Sequence, residues 1–248
     1  ATVPEREQEH IQCADLCWEY NRTKPSDSKT REALLRQIFG KLGKAPYVEP
    51  TVFFGFGKNV EAGDRFFANN NCVFVDPGKI TFGDNVFIGP NCGFYTAHHP
   101  IHPELRNKLY EYARPITVGS DVWIGGGTVV LPGARIGSNV VIGAGSVVTG
   151  EIPDNVVAFG NPCKVYRAIT EEDMLWDIRF MKRYNLNAVR TCHYPNTTEF
   201  YRLCDEYGLY VIDDISLNSN PYSNKDESSI PGDQTVWQNA CLDRLLNV

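Results

Sequence analysis

The sequence lacks any run of about 18 consecutive apolar residues, so it predicts no transmembrane helix. Its first ten residues, ATVPEREQEH, carry too many charges for a secretion signal. It also lacks a basic excess, because 24 Lys and Arg stand against 30 Asp and Glu and give a net charge of −6. A nucleic-acid-binding surface is normally basic. We therefore expect neither a membrane nor a nucleic-acid partner.

Close pairs of cysteines are missing as well. The eight cysteines, at positions 13, 17, 72, 92, 163, 192, 204 and 241, form no CxxC pair. Such scattered usage is typical of buried free thiols in a reducing compartment rather than of disulfides or a metal motif. The sequence therefore predicts a cytoplasmic protein.

A six-residue repeat runs through the middle of the chain. From Val118 an aliphatic residue recurs at positions 124, 130, 136, 142 and 148, and the same spacing links Phe82, Ile88 and Phe94. A period of six fits neither a helix nor an alternating strand. It fits a coil of three short strands with glycine or asparagine at the corners, where left-handed backbone is needed. The alternative, a glycine-rich sandwich, would require the spacing to be coincidental.

The repeat is interrupted by a segment rich in histidine, TAHHPIHPELRN. Three of the five histidines, His98, His99 and His102, lie here, and the repeat resumes at Ile116 and Val118. An insertion that leaves the scaffold intact is a common place for functional residues. Zinc is one interpretation, but no cysteine or further histidine is nearby to complete a tetrahedral site. Imidazole titrates near neutral pH and suits a general base, so we favour a catalytic base and predict no metal.

Longer motifs surround these hexads over residues 10–170. They include EYNRTKPSD, FFANNNCVFVD, RPITVGSDVWIGGG, VIGAGSVVTGEIP and FGNPCKVYR. Together they resemble the galactoside/maltose O-acetyltransferase family of hexapeptide-repeat acyltransferases. The resemblance implies a mainly β fold, with a helical segment at 1–46 followed by a left-handed parallel β-helix at 47–169. In the helical segment, SDSKTREALLRQIFG has a Ser/Asp start and a glycine stop, which are typical helix boundaries.

The same resemblance implies an activity and an assembly. The family members are acetyl-CoA-dependent O-acetyltransferases, and the expected acceptor is a sugar hydroxyl of the galactoside, maltose or glucose type. Acetyl-CoA is a co-substrate, and the acetyl group passes directly to the acceptor without a covalent acyl-enzyme. Because the family is trimeric with sites between neighbouring β-helices, we expect a homotrimer.

Three catalytic roles follow from the resemblance. His99, in TAHHP, matches the general base, which leaves His98 and His102 as flanking loop residues. Asn69, in FFANNN, matches an asparagine that binds the acceptor near the reacting hydroxyl. Gly126 matches a coenzyme-binding position whose backbone N–H faces the thioester oxygen and stabilises the oxyanion.

Five further positions match binding residues of the family. Trp123 corresponds to an aromatic residue beside the coenzyme A arm, and Ala144 to a backbone contact with the pantetheine. Lys164 and Arg167 correspond to basic residues near the coenzyme A phosphates. Asp76 corresponds to an acidic residue near the sugar. Packing at a coil corner is an open alternative for Trp123 and Asp76, as is an ordinary surface position for Lys164.

The chain departs from the family pattern at two positions. Gly150, in VVTGEIP, stands where the family usually has a lysine, so one phosphate contact is missing. His10 replaces an arginine of the N-terminal helix. The departures therefore leave sugar binding less firmly implied by the resemblance than acetyl-CoA binding.

The segment 170–248 has a different character. Residues 171–248 hold 7 basic and 13 acidic residues, whereas residues 1–170 hold 17 of each. Its strand–helix–strand order predicts a parallel α/β arrangement. Its amino-acid sequence resembles part of the (β/α)8 barrel of family 2 glycoside hydrolases, the β-galactosidase type. His193 of this chain matches a substrate-pocket histidine of that family. The resemblance implies a partial barrel without hydrolase activity, because the acid/base and nucleophile motifs do not occur.

Three alternatives to a sugar O-acetyltransferase stay open. The acceptor could be an amino sugar or an antibiotic, which acceptor profiling would distinguish. A glycosidase would need the two carboxylates that retaining enzymes place about 5 Å apart. A non-catalytic β-helix scaffold would release no thiol from acetyl-CoA.

Overall fold

The computed structural model describes residues 4–191 and 198–213 of the 248-residue chain. The chain divides into two units, Ala1–Ile169 and Thr170–Val248, here called the first and second unit. Within the described ranges, none of the helices combines the length and the apolar character needed to cross a membrane.

Two helices, α1 (Pro4–Arg22) and α2 (Ser28–Ile38), begin the first unit. The predicted start of α2 is confirmed, since Asp27 Oδ1 accepts the Thr30 N–H at 3.1 Å. Arg31 on α2 is buried and donates hydrogen bonds to the Val48 carbonyl at 2.6 Å and the Tyr20 hydroxyl at 3.0 Å. These bonds fasten both helices to the strands that follow.

Eighteen short strands wind around a three-sided β-helix. The first face contains β1 (Lys41–Leu42), β4 (Val60–Ala62), β7 (Ile80–Phe82), β12 (Ile116–Val118), β15 (Arg135–Ile136) and β18 (Glu151–Ile152). The second face contains β2 (Tyr47–Val48), β5 (Phe67–Ala68), β8 (Val86–Ile88), β13 (Val122–Ile124), β16 (Val140–Ile142), β19 (Val156–Phe159) and β20 (Lys164–Ala168). The third face contains β3 (Val52–Phe54), β6 (Cys72–Val75), β9 (Gly93–Tyr95), β14 (Val129–Val130) and β17 (Val147–Val148). Neighbouring strands pair in parallel except β19 and β20, which are antiparallel.

The predicted parallel β-helix is confirmed by its core. The hexad residues at 118, 124, 130, 136, 142 and 148 are at most 3% exposed. Phe54, Phe74 and Phe94 stack from coil to coil, with ring centroids 4.6 and 5.2 Å apart. Asparagines take the predicted left-handed corners, as at Asn85 and Asn139, whose φ angles are 56° and 53°.

The coils differ in length along the axis. Val122 pairs with Val140, which matches three hexads, but Val60 pairs with Ile80 and the first coils are therefore two residues longer. The extra residues interrupt the six-residue spacing ahead of Phe82, the first position of the repeat described above.

One insertion leaves the β-helix between β9 and β12. This arm, residues 97–115, contains β10 (Ala97–His98), the short helix α3 (Pro103–Asn107) and β11 (Tyr112–Ala113). Strands β10 and β11 pair with each other in antiparallel fashion. Beyond the arm β12 resumes parallel pairing with β7, so the insertion does not disturb the β-helix.

The second unit follows the predicted helix and strand order. It contains α4 (Glu171–Arg183), β21 (Ala188–Thr191), α5 (Thr198–Tyr207) and β22 (Tyr210–Asp213). The two strands pair in parallel, and a small core forms around Ile178, Phe200, Leu203, Cys204 and Leu209. No barrel closes within the described residues of this unit, and His193 lies outside them.

Candidate active site

An open groove of about 730 Å³ runs along the corner that follows the second face. Residues from four successive coils line it, from Phe67 to Ala144. Most of its walls are apolar side chains, and much of its floor is backbone. A groove of this kind fits a long, thin ligand rather than a globular one.

The floor is formed by one corner position in each coil, which we call the corner row. Its members that line the groove are Asn69, Gly89, Gly125 and Gly143. The backbone N–H of each member donates a hydrogen bond to a carbonyl of the next coil, at 2.7 to 2.9 Å, and that carbonyl belongs to the residue directly before the next member of the row. A Cβ on Gly125 would lie 2.5 Å from the Ala144 nitrogen. Close contact between coils therefore requires glycine here, and at its three glycines the floor consists of backbone alone.

A row of aromatic residues runs along the second face, and three of them, Phe67, Phe87 and Trp123, form one side of the groove. Tyr47 precedes them in the row, and successive members of the row are partners in the strand pairs of this face. Phe87 and Trp123 remain 50% and 58% exposed. Sequence analysis singled out only Trp123. A sequence pattern could have identified the missed residues. Each is an outward-facing aromatic residue directly before an inward aliphatic or alanine residue of a second-face strand.

Four of the predicted site residues meet in this groove. Asn69, Trp123, Gly126 and Ala144 all line it. The N–H groups of the glycines on both sides of Gly126 donate to backbone carbonyls at 2.8 Å. The Gly126 N–H itself makes no hydrogen bond to the described part of the chain. It is a donor that a ligand can use.

His99 lies on the arm and is not part of the groove lining. Its Nδ1 is 3.1 Å from the Tyr110 carbonyl oxygen. Because a carbonyl only accepts, this contact requires the proton on Nδ1 and leaves the lone pair on Nε2. The exposed imidazole is therefore held in the tautomer that a general base needs.

The neighbouring histidines have other surroundings. His98 packs edge-on against Tyr112, with ring centroids 3.7 Å apart, and its Nε2 is buried without a partner. His102 is exposed and precedes the first turn of α3. Neither geometry resembles that of His99.

Asp76 is buried away from the groove. Its Oδ1 accepts the Phe56 N–H at 2.9 Å, and its Oδ2 has no hydrogen-bond partner. Burial raises the pKa of this carboxyl above its ordinary value. With 0% of the residue exposed, these surroundings favour the structural corner aspartate over a contact to the sugar.

The predicted phosphate-binding residues lie on β20. Lys164 and Arg167 are both exposed and stand opposite Phe159 and Val157 of β19. At Gly150 an added Cβ would meet nothing within 4 Å.

His10 lies on α1, with its Nδ1 2.7 Å from the Gly55 carbonyl oxygen. Among the described residues no group of three His, Cys, Asp or Glu side chains is arranged to hold a metal ion.

Three family models match the sequence. The maltose acetyltransferase hexapeptide capping motif matches residues 1–43, and the bacterial transferase hexapeptide repeats match residues 115–150. The TIM-barrel domain of glycosyl hydrolases family 2 matches residues 163–248. The last match begins at Cys163, directly before β20, and so includes a strand that pairs with β19 of the β-helix.

Curated proteins and solved structures are similar to the first unit. The galactoside O-acetyltransferase of Escherichia coli is 47% identical over 158 residues, which is 64% of this chain and 78% of that protein. A crystal structure of a maltose O-acetyltransferase from Clostridium difficile shares 47% identity with a TM-score of 0.67, over 68% of this chain and 90% of that one. A galactoside acetyltransferase in complex with coenzyme A shares 43% identity with a TM-score of 0.68, over 69% and 86% of the two chains.

Proposed function

The chain belongs to the galactoside and maltose O-acetyltransferase family, and we propose that it transfers an acetyl group from acetyl-CoA to a sugar hydroxyl. The observation that carries the proposal is the shared groove of Asn69, Trp123, Gly126 and Ala144. Its narrow backbone floor suits the pantetheine arm of the co-substrate. The similar galactoside acetyltransferase in complex with coenzyme A supports this occupant.

The proposed chemistry is direct transfer with His99 as general base. Its Nε2 takes the proton from the acceptor hydroxyl, whose oxygen then forms a bond to the thioester carbonyl carbon. The Gly126 N–H stabilises the oxyanion of the tetrahedral intermediate. The carbon–sulfur bond then breaks, and the coenzyme A thiolate leaves and recovers the proton from His99. Asn69 holds the acceptor near the reacting hydroxyl.

A homotrimer is part of the proposal because His99 is outside the groove lining of its own chain. Every residue from 101 to 115 is exposed, and Ile101 and Leu109 are 94% and 81% exposed. Apolar side chains projecting from an arm are usually covered by a partner. A neighbouring copy would cover them and receive His99 at its groove. Sedimentation of the purified chain should therefore give a trimer.

The coenzyme phosphates are assigned to Lys164 and Arg167, which are exposed at the end of the β-helix. A cytoplasmic location is also proposed. It is supported by the six cysteines of the described residues, which are all free and buried.

The proposal is tested by thiol release from acetyl-CoA with galactosides, maltose, glucose, amino sugars and an aminoglycoside antibiotic as acceptors. We expect thiol release that depends on a sugar hydroxyl, with the O-acetylated product visible by mass spectrometry. Transfer only to amines would replace the acceptor and keep the chemistry. No transfer to any acceptor would favour the non-catalytic scaffold.

A further inference from the structure

The corner row does not end at the last groove-lining glycine. The Gly143 N–H donates to the Ala158 carbonyl at 2.8 Å, so Phe159 is the next residue in the row. A Cβ on Gly143 would lie 2.7 Å from the Phe159 Cβ. The floor of the groove therefore leads directly to an aromatic side chain.

Phe159 is one half of an exposed aromatic pair. Its ring centroid is 4.9 Å from that of Tyr166, at an interplanar angle of 45°. Phe159 and Tyr166 are 47% and 65% exposed. Two large rings in mutual contact thus present their outer surfaces to solvent at the end of the groove.

A bulge in the β19–β20 ladder contributes to this arrangement. Val157 pairs with Arg167 and Ala158 with Val165, so Tyr166 is an extra residue between two ladder partners. Bulges commonly redirect a side chain from the direction that regular alternation would give it.

Positive charge accompanies the rings. Lys164 is the ladder partner of Phe159 and lies directly across from it, and both are exposed. An aromatic surface beside an ammonium group fits a base attached to phosphates, since the ring stacks and the ammonium binds the anion.

We propose that Phe159 and Tyr166 form the platform on which the adenine ring of coenzyme A stacks. This inference rests on the proposed function, because it takes acetyl-CoA as the occupant of the groove. The thioester lies at the Gly126 end, the pantetheine follows the corner row, and the nucleotide lies beyond Gly143. The platform then supplies nucleotide affinity in a chain that has Gly150 in place of the family's lysine.

The test compares coenzymes with and without the adenosine part. In Phe159→Ala and in Tyr166→Ala, the KM for acetyl-CoA should rise on the order of 10-fold, as loss of base stacking predicts. The kcat should stay unchanged, because the reacting atoms are at the other end of the groove. With acetyl-phosphopantetheine, which lacks the adenosine, both variants should match the wild type. Tyr166→Phe keeps the ring and should behave as wild type with both substrates.

Tyr184→Ala is the matched control, since Tyr184 is an aromatic residue of the second unit with 61% exposure. It should leave the KM for acetyl-CoA unchanged. An equal rise in KM with acetyl-phosphopantetheine, or no rise with acetyl-CoA, would overturn the platform.

Calorimetric binding of coenzyme A and of phosphopantetheine separates this inference from the proposed function. If the wild type binds coenzyme A but acetylates no sugar, the proposed acceptor chemistry fails and the platform is still supported by weaker coenzyme binding in the variants. If the variants bind coenzyme A as tightly as an active wild type, the platform alone is wrong. A wild type that neither binds coenzyme A nor transfers acetyl groups overturns both.

Discussion

The strands of the first unit repeat one sequence pattern, whereas each element of the second unit has a pattern of its own. In the first unit an inward residue per strand builds a continuous core, as the stack of Phe54, Phe74 and Phe94 shows. In the described part of the second unit, one pair of parallel strands supports a core of five buried residues. A closed barrel of the matched hydrolase type would contain eight strands.

This difference teaches where chemistry can be placed. The inward side chains of the β-helix pack in its core and cannot contact a ligand. The candidate site residues therefore lie at the corners, as Gly126 does, or on the arm, as His99 does. The predicted site residues that line a common groove, Asn69, Trp123, Gly126 and Ala144, all belong to the first unit. The comparison therefore assigns acetyl transfer to the first unit, and each prediction below either strengthens or breaks that assignment.

The largest expected effect is on the arm of the first unit. His99→Ala should lower kcat by roughly 10²- to 10⁴-fold, the usual contribution of a general base. The side chain is exposed, so its loss should leave the fold unchanged. Steady-state kinetics with a sugar acceptor and far-UV circular dichroism measure the two expectations.

His102→Ala is the matched control for the base, since it removes an exposed histidine of the same arm. Its kcat should equal that of the wild type. A mild effect of His99→Ala together with a large effect of His102→Ala would reverse the assignment. Chelators should leave the rate unchanged, and a loss of activity that zinc restores would revive the metal interpretation.

The second prediction compares the two cores directly. Phe74→Ala should destabilise the first unit by about 3–5 kcal/mol and lower its unfolding temperature by roughly 10 °C, because it leaves a cavity between stacked rings. Phe200→Ala should destabilise the second unit and leave the transition of the first unit in place. Calorimetry of the two variants distinguishes the transitions. A common shift in both variants would show that the units unfold together.

The core and the corners of the first unit were predictable from sequence because each is tied to the hexad period. Val118 and the positions that follow it every six residues are buried as expected. The first coils were harder to recognise, since the pairing of Val60 with Ile80 adds two residues per coil. The strand–helix–strand order of the second unit was also predictable, and β21, α5 and β22 follow it.

The site was predictable only where a motif fixed it. Asn69 and Gly126 came from the family pattern, and both line the groove. Phe67 and Phe87 were missed because an outward position has no packing requirement that sequence reveals. The sequence left two interpretations of Asp76 open, a contact to the sugar and a structural corner residue. It could not decide between them, because the burial of Asp76 depends on how separate segments of the chain pack around it.

The third prediction concerns a small electrostatic effect at the end of the β-helix. Gly150→Lys should lower the KM for acetyl-CoA a few-fold and make it more sensitive to salt, as expected for an added phosphate contact. The substitution is sterically permitted, because a Cβ at Gly150 meets nothing within 4 Å. Gly150→Met adds similar length without charge and should change neither quantity. Equal behaviour of the two variants would mean that this corner does not face the phosphates.

The smallest expected effect belongs to removal of the second unit. A chain that ends after Ile169 keeps β20, and the Ile169 N–H still donates to the Asn155 carbonyl at 2.8 Å. The groove lining extends only from Phe67 to Ala144, and Lys164 and Arg167 are also retained. The shortened chain should therefore show the same kcat and KM for acetyl-CoA and for the sugar as the full chain. The opposite outcome is a shortened chain that still sediments as a trimer and keeps its KM for acetyl-CoA but has a higher KM for the sugar. That result would mean that the second unit takes part in acceptor binding. Acetyl transfer would then not be a property of the β-helix alone.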